Sequence, residues 1–207
     1  PQSIFNEYYA KTFFTTQHTF AYFFQKDFIG SYNDFKQRID EIQSVINIKG
    51  LDEQKQNIIN KLSYINIITS LDTFICDIIL TKIIQDEESF NNFFNSIPPC
   101  KKKDEMTKLK EDNLVAQWEQ KVIEYVMRTS YSNIDTIKDI LKELFKVSII
   151  DTNGKMKKHF YYRNLLAHRN GRKKDGGYIN ITNEELKSLI TDTQSIAKQI
   201  QTKIKPE

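Results

Sequence analysis

The sequence predicts an all-α protein organised as a helical bundle. Three observations predict it. Gly and Pro are scarce, with 6 and 4 among 207 residues, so few positions interrupt a helix. Apolar residues recur at intervals of three and four through most of the chain. Turn signals separate these stretches: Gly50, Pro98-Pro99, Asp151-Thr152-Asn153-Gly154 and Asp175-Gly176-Gly177.

Each element has its own reason. Residues 5–28 are aromatic-rich, with Phe13, Phe20, Phe24 and Phe28 at helical intervals, and Gly30-Ser31 is expected to end that helix. Ser31 with Asp34 starts a helix over 32–48, stopped by Gly50. Asp52 caps a long helix to about residue 84, with Ile58, Leu62, Ile65, Ile68, Leu71, Ile75 and Ile79 as its apolar positions. A shorter helix covers 87–95. Pro98-Pro99 is the clearest break, and the Lys101-Lys102-Lys103 run beyond it reads as a solvated turn. A helix follows over 105–128. Another begins at Ser132, with Ile134, Ile137, Leu141, Leu144 and Phe145 on one face. Residues 155–169 form a helix that Asn170-Gly171 stops. Thr182 with Glu185 makes a capping box for a last helix over 183–205.

The pattern shows no repeat and no low-complexity linker. We expect one helical domain over residues 1–207, because neither side of Pro98-Pro99 alone would have much core. The apolar fraction of 39%, with 14 Phe and 10 Tyr, is enough to build one. No apolar run is long enough to span a membrane: 65–84 comes closest, and Asn66, Ser70, Asp72, Asp77 and Lys82 interrupt it. The first residues lack a basic start and an apolar block, so no secretory signal is expected. Cys76 and Cys100 are far apart without metal-ligand spacing. Cys76 reads as a buried thiol, and a reducing cytoplasm fits best.

The charge is local. Residues 152–174 hold eight Lys and Arg and no acid. The whole chain has 30 Lys and Arg against 27 Asp and Glu, a net of +3; outside that segment 22 face 27, a net of −5. A basic segment in an acidic remainder suits an anionic partner, with RNA the leading candidate.

That segment contains Arg163-Asn164-Leu165-Leu166-Ala167-His168. Five positions turn an ideal helix by about 500°, so Arg163 and His168 are offset by roughly 140°. The offset suits a groove or an interface better than a compact pair. There a histidine can move a proton from a ribose 2′-hydroxyl or to a leaving 5′-oxygen. An arginine can hold the phosphate and stabilise the added charge of the transition state. Asn164 can hold a phosphate or orient the histidine. The reaction needs no metal and no cofactor, and the sequence shows no carboxylate–histidine cluster to hold one. His168 also stands where an imidazolium would favour the negative end of the helix dipole. Spacing alone therefore leaves a cap and a catalyst both open.

The stretch from Phe160 through Gly171 resembles the signature of the HEPN superfamily. There an arginine, a polar residue, three variable residues and a histidine lie on a late helix, with a glycine soon after. The continuation through Asp175-Gly176-Gly177-Tyr178 into a final helix is similar to the stand-alone HEPN proteins of bacterial defence and toxin loci. Upstream, Ser70-Leu71-Asp72 resembles the early family helix with its serine and acidic residue, a role for which Asp72 and Asp77 compete. The resemblance covers about 60–205, and residues 1–50 read as an N-terminal helical extension. Asn170 stands where some toxin branches carry a tyrosine, so the chain is not assigned to that branch.

The resemblance implies a HEPN-like bundle that forms a homodimer and cleaves RNA without metal where two motif copies meet. It implies a toxin or antiviral effector, paired with an antitoxin or regulatory defence protein. Arg163 and His168 would be catalytic with Asn164 assisting, and Lys157, Lys158, Arg169, Arg172 and Lys173 would hold the RNA backbone. The alternative is a non-catalytic HEPN module that binds nucleotide or RNA, or only dimerises, beside a nucleotidyltransferase or other defence protein. Among other residues, His159 reads as a surface histidine and His18 as structural. Trp118 reads as core or interface. Tyr161 and Tyr162 are candidates for base stacking, with at least one expected in the core.

Overall fold

The computed structural model describes residues 25–204. The predicted helix over 5–28, with Phe13, His18 and Phe20, lies outside the described residues apart from its last few. The described chain is all-α, and its only β-type pairing is an isolated bridge between Arg172 and Tyr178. It divides into two compact units.

The unit that carries the motif comprises Phe28–Ile75 and the chain from Ser130 onward. It contains α1 (Phe28–Ile46), most of the 33-residue α2 (Glu53–Gln85), α6 (Ile134–Phe145), α7 (Lys155–Arg169) and α8 (Asn183–Lys203). Helix α1 runs straight through Gly30-Ser31, which the sequence reading took as a stop. The break falls earlier, at Lys26-Asp27. A glycine costs little in a first turn, where backbone N–H groups have no helical partner anyway. Helix α8 packs against both α1 and α7. Phe35, Ile39, Ile67, Leu71, Leu186 and Ile200 are fully buried at the centre.

The start of α2 corrects the predicted stripe. Asp52 caps it by accepting the Lys55 N–H at 2.8 Å. Ile58 and Leu62, however, are 52% and 55% exposed, and Asn60, Ser63 and Tyr64 take the inward positions. Asn60 can be buried because its amide donates to the Ile181 carbonyl at 2.9 Å and to Asn183 Oδ1 at 3.1 Å. A satisfied amide can hold an inside position that an apolar pattern does not reveal.

At the other end of this unit the predicted signals hold. Asn153 and Gly154 adopt left-handed conformations before α7. Asn170 (φ 49°) and Gly171 (φ 80°) do so after it. Thr182 and Glu185 form the full capping box of α8.

The second unit includes Cys76–Thr129. It holds the last turns of α2, then α3 (Glu87–Ser96), α4 (Lys101–Glu111) and α5 (Val115–Arg128). The triple-lysine run is the first turn of α4 and not a loop. The single helix expected over 105–128 is two helices, broken where Asn113 adopts φ 56°, a conformation Asn tolerates better than most residues. Trp118 is core, 6% exposed, with its ring edge-on to Phe90 at 5.1 Å and Phe94 at 5.3 Å. Lys103 is drawn in over the Phe94 ring at 3.7 Å, and burial lowers its pKa. Cys76 is half-buried and Cys100 exposed. No described helix is long and apolar enough to cross a membrane.

Candidate nucleic-acid site on the motif helix

Helix α7 divides its side chains by period. Met156, His159, Phe160 and Leu166 are buried, at spacings that stack on one face. Lys157, Tyr161, Asn164 and His168 are exposed, and at about 100° per residue they fall within roughly 60° of one another. Arg163 falls among the inward positions of the helix, yet it is only half-buried. The predicted offset of Arg163 and His168 is therefore real. The long arginine side chain narrows it, because its Nη1 donates to Asn164 Oδ1 at 3.2 Å. The guanidinium is thus turned toward the residue beside it on the exposed stripe. Arg163 Nε is buried without a hydrogen-bond partner.

Of the two upstream acids, Asp72 lies in the same unit as the motif. Its carboxylate accepts the Tyr131 backbone N–H and feels the Arg163 charge. Partial burial raises its pKa, and those two favourable interactions only partly oppose the rise. Asp77 belongs to the other unit, where it pairs with Lys26 at 2.8 Å. Ser70 bonds back to the Asn66 carbonyl of its own helix.

The two histidines of α7 differ completely. His168 is exposed and has no hydrogen-bond partner among the described residues. His159, expected on the surface, is only 8% exposed. Its Nδ1 lies 2.7 Å from the Tyr64 hydroxyl and its Nε2 3.1 Å from Asp192 Oδ2. A neutral imidazole satisfies both: Nδ1 accepts the Tyr64 O–H, and Nε2–H donates to the carboxylate. Burial lowers the His159 pKa, with Asp192 opposing, and burial pushes the Tyr64 hydroxyl pKa up so that it stays protonated. Asp192 also takes Lys155 at 3.3 Å and the Ser188 hydroxyl at 3.3 Å. The network ties α2, α7 and α8 together directly behind the motif. Tyr64 and Asp192 were missed from the sequence, though the Met156–His159–Phe160 spacing already puts His159 inward.

The predicted cations separate into two sets. Lys157 pairs with Asp135 at 2.9 Å, and Lys158 lies 5.2 Å over the Tyr162 ring. Arg169, Arg172, Lys173 and Lys174 are exposed, and none has an ion pair among the described residues. Of the two tyrosines, Tyr162 is half-buried against Tyr64, and Tyr161 is 49% exposed. Among the described residues, no three His, Cys, Asp or Glu side chains are grouped to hold a metal.

A search of curated proteins and of solved structures finds no match for this chain. The model of the RiboL-PSP-HEPN family matches residues 33–206. The match starts ahead of the stretch from about residue 60 that carries the motif resemblance, and takes in most of α1. HEPN domains generally cleave or bind RNA. The all-α fold, the motif on a late helix and this match agree: the chain belongs to the RiboL-PSP-HEPN family.

Proposed function

We propose that this protein is a metal-independent endoribonuclease. The observation that carries the reading is the free, solvent-facing His168 imidazole. It shares an exposed stripe with Asn164, toward which the Arg163 guanidinium is drawn at 3.2 Å, and unpaired cations follow directly after it. His168 takes the proton of a ribose 2′-hydroxyl, the 2′-oxygen attacks phosphorus, and the 5′-oxygen leaves with a proton. Arg163 stabilises the charge gathering on the phosphate, and Asn164 holds the guanidinium toward it. The Asp72 carboxylate lies near enough to Arg163 for the two charges to attract. Arg169, Arg172 and Lys173 hold the RNA backbone, with Lys158 and the more committed Lys157 at the far end of the helix.

The site works as two copies. In a homodimer one imidazole removes the 2′ proton while the other supplies the 5′ proton. Ile58 and Leu62, one turn apart on α2, and Tyr161 on α7 leave apolar surface exposed that a second copy would cover. Light scattering should give twice the chain mass. The likeness of the motif to stand-alone defence and toxin proteins carries the further reading that cleavage acts as a toxin or antiviral response.

The test is end-group analysis of one RNA oligonucleotide cleaved in chelator. Cleavage should persist and leave a 2′,3′-cyclic phosphate with a 5′-hydroxyl, while DNA of the same sequence stays intact. A 5′-phosphate product, or activity lost on adding chelator, would overturn the mechanism.

A further inference from the structure

Tyr178 is a large aromatic side chain held in solvent by a fixed backbone. It is 62% exposed, while Ile179 and Ile181 beside it are 3% and 1% exposed. The ribbon that carries it is tied at every level. The Lys173 N–H donates to the Gly177 carbonyl at 2.8 Å, and the Ile179 N–H to the Gly171 carbonyl at 2.9 Å. The Gly177 N–H donates to Asp175 Oδ1 at 3.0 Å. Beyond the ribbon, Asn57 donates to Asn180 Oδ1 at 3.0 Å and Asn60 to the Ile181 carbonyl. Folding gains little from a ring left in water, yet the backbone on either side of it is hydrogen-bonded at Gly177 and Ile179.

Tyr178 pairs with Arg172 across the isolated antiparallel bridge. Residues paired in this way point to the same face of a ribbon. Arg172 and Tyr178 therefore leave the ribbon on one face, with Lys173 and Lys174 exposed at the tip. The Asp175 carboxylate, the one acid in the tip, is occupied with the Gly177 N–H. The ribbon starts directly at the end of α7: the Gly171 N–H closes on the Leu165 carbonyl and the Arg172 N–H on the Arg169 carbonyl, each at 2.9 Å.

We propose that the ribbon from Arg172 to Tyr178 is a nucleotide subsite for single-stranded RNA. A base stacks on Tyr178 and the adjoining phosphate meets Arg172. This rests on the ribonuclease reading and deepens it by assigning one nucleotide of an unpaired strand to the ribbon. Bases in a duplex are already stacked on their neighbours and cannot take up the ring; a splayed base can.

The experiment measures anisotropy of a labelled ten-nucleotide RNA with 2′-methoxy groups, which cannot be cleaved, as a single strand and as a duplex. The variants are Tyr178→Ala, Tyr178→Leu and Tyr178→Phe. Loss of the ring should weaken single-strand binding roughly tenfold and leave duplex binding unchanged. Tyr178→Phe should bind like the wild type. A 2-aminopurine placed in the strand should be quenched by the wild type and by Tyr178→Phe only. Equal binding of the single strand by Tyr178→Ala, equal losses on both RNAs, or no RNA binding by the wild type each overturns the subsite. The two readings fail separately. If unmodified RNA is not cleaved but the ring-dependent binding persists, the cleavage reading falls and the subsite stands. If cleavage is intact and Tyr178→Ala binds normally, the subsite falls alone.

Discussion

The two ends of α7 treat positive charge in opposite ways. At the N-terminal end Lys155 pairs with Asp192, Lys157 with Asp135, and His159 is buried between Tyr64 and Asp192. At the C-terminal end His168, Arg169, Arg172, Lys173 and Lys174 face solvent, and none has an ion pair among the described residues. One helix thus carries a structural cluster and an uncompensated one. Leaving several cations together unpaired costs some repulsion, and a bound polyanion removes it. Residue type does not separate the clusters, since both contain lysines and a histidine. The presence of acidic partners does.

The sharpest way to break the comparison is to exchange the roles of its two histidines. His168→Ala should lower RNA cleavage roughly a hundredfold or more, the scale of losing about 2.7–4 kcal/mol of transition-state stabilisation. Its melting temperature should match the wild type, because the exposed side chain has no hydrogen-bond partner among the described residues. Full cleavage by His168→Ala would falsify the catalytic assignment.

His159→Ala should do the reverse to stability. It strands the Tyr64 hydroxyl and the Asp192 carboxylate and opens a gap, and should cost about 2–3 kcal/mol in denaturant unfolding. The same residue sets a pH signature. Burial lowers the folded-state pKa of His159, so below its ordinary value the unfolded chain binds a proton that the folded chain does not. Its stabilisation is therefore present above a pH of about 6.5 and is lost as pH falls below it, with a slope of at most about 1.4 kcal/mol per unit. Urea titrations at several pH values should show that slope in the wild type and not in His159→Gln. An unchanged slope in the variant would assign the effect to another group.

The smallest expected effect separates the lysines. Lys173→Gln with Lys174→Gln should reduce the salt dependence of single-strand binding by about 1.4 in the log–log slope, about 0.7 per phosphate contact. Lys155→Gln with Lys157→Gln should change it less, because those ammonium groups already have carboxylates. Equal changes in the two pairs would erase the distinction between the ends of the helix.

Much of this site was legible beforehand, for reasons specific to each part. The bounds of α7 follow from Gly154 and Asn170-Gly171, and the capping box of α8 from Thr182 and Glu185, because these signals act within one turn. The isolation of positive charge is a property of sequence alone. The inward position of His159 was also readable, from its spacing to Met156 and Phe160, but a histidine in a basic run suggested surface. The partners Tyr64 and Asp192 lie 95 and 33 residues away, and no local pattern announces such contacts. The same limit explains α2, where Asn60 displaces Ile58 and Leu62 from the inside by bonding to a loop more than 120 residues away. Nor could the sequence show that Asp72 and Asp77, five residues apart on one helix, fall in different units.

Gly171 serves two structures at once. Its N–H closes the last turn of α7 on Leu165, and its carbonyl accepts the Ile179 N–H of the ribbon, each at 2.9 Å. A Cβ added there would sit 3.3 Å from Leu166 Cδ2 on a backbone with φ 80°, so the joint admits no other residue without strain. Two hydrogen bonds on one residue thus fasten the ribbon that carries Tyr178 to the end of the helix that carries His168. On the proposed reading, capture of a strand by the ribbon and delivery of its phosphate to the histidine would be a single kinetic event. Stopped-flow traces of RNA association should show one concentration-dependent phase, with no slower closing step behind it.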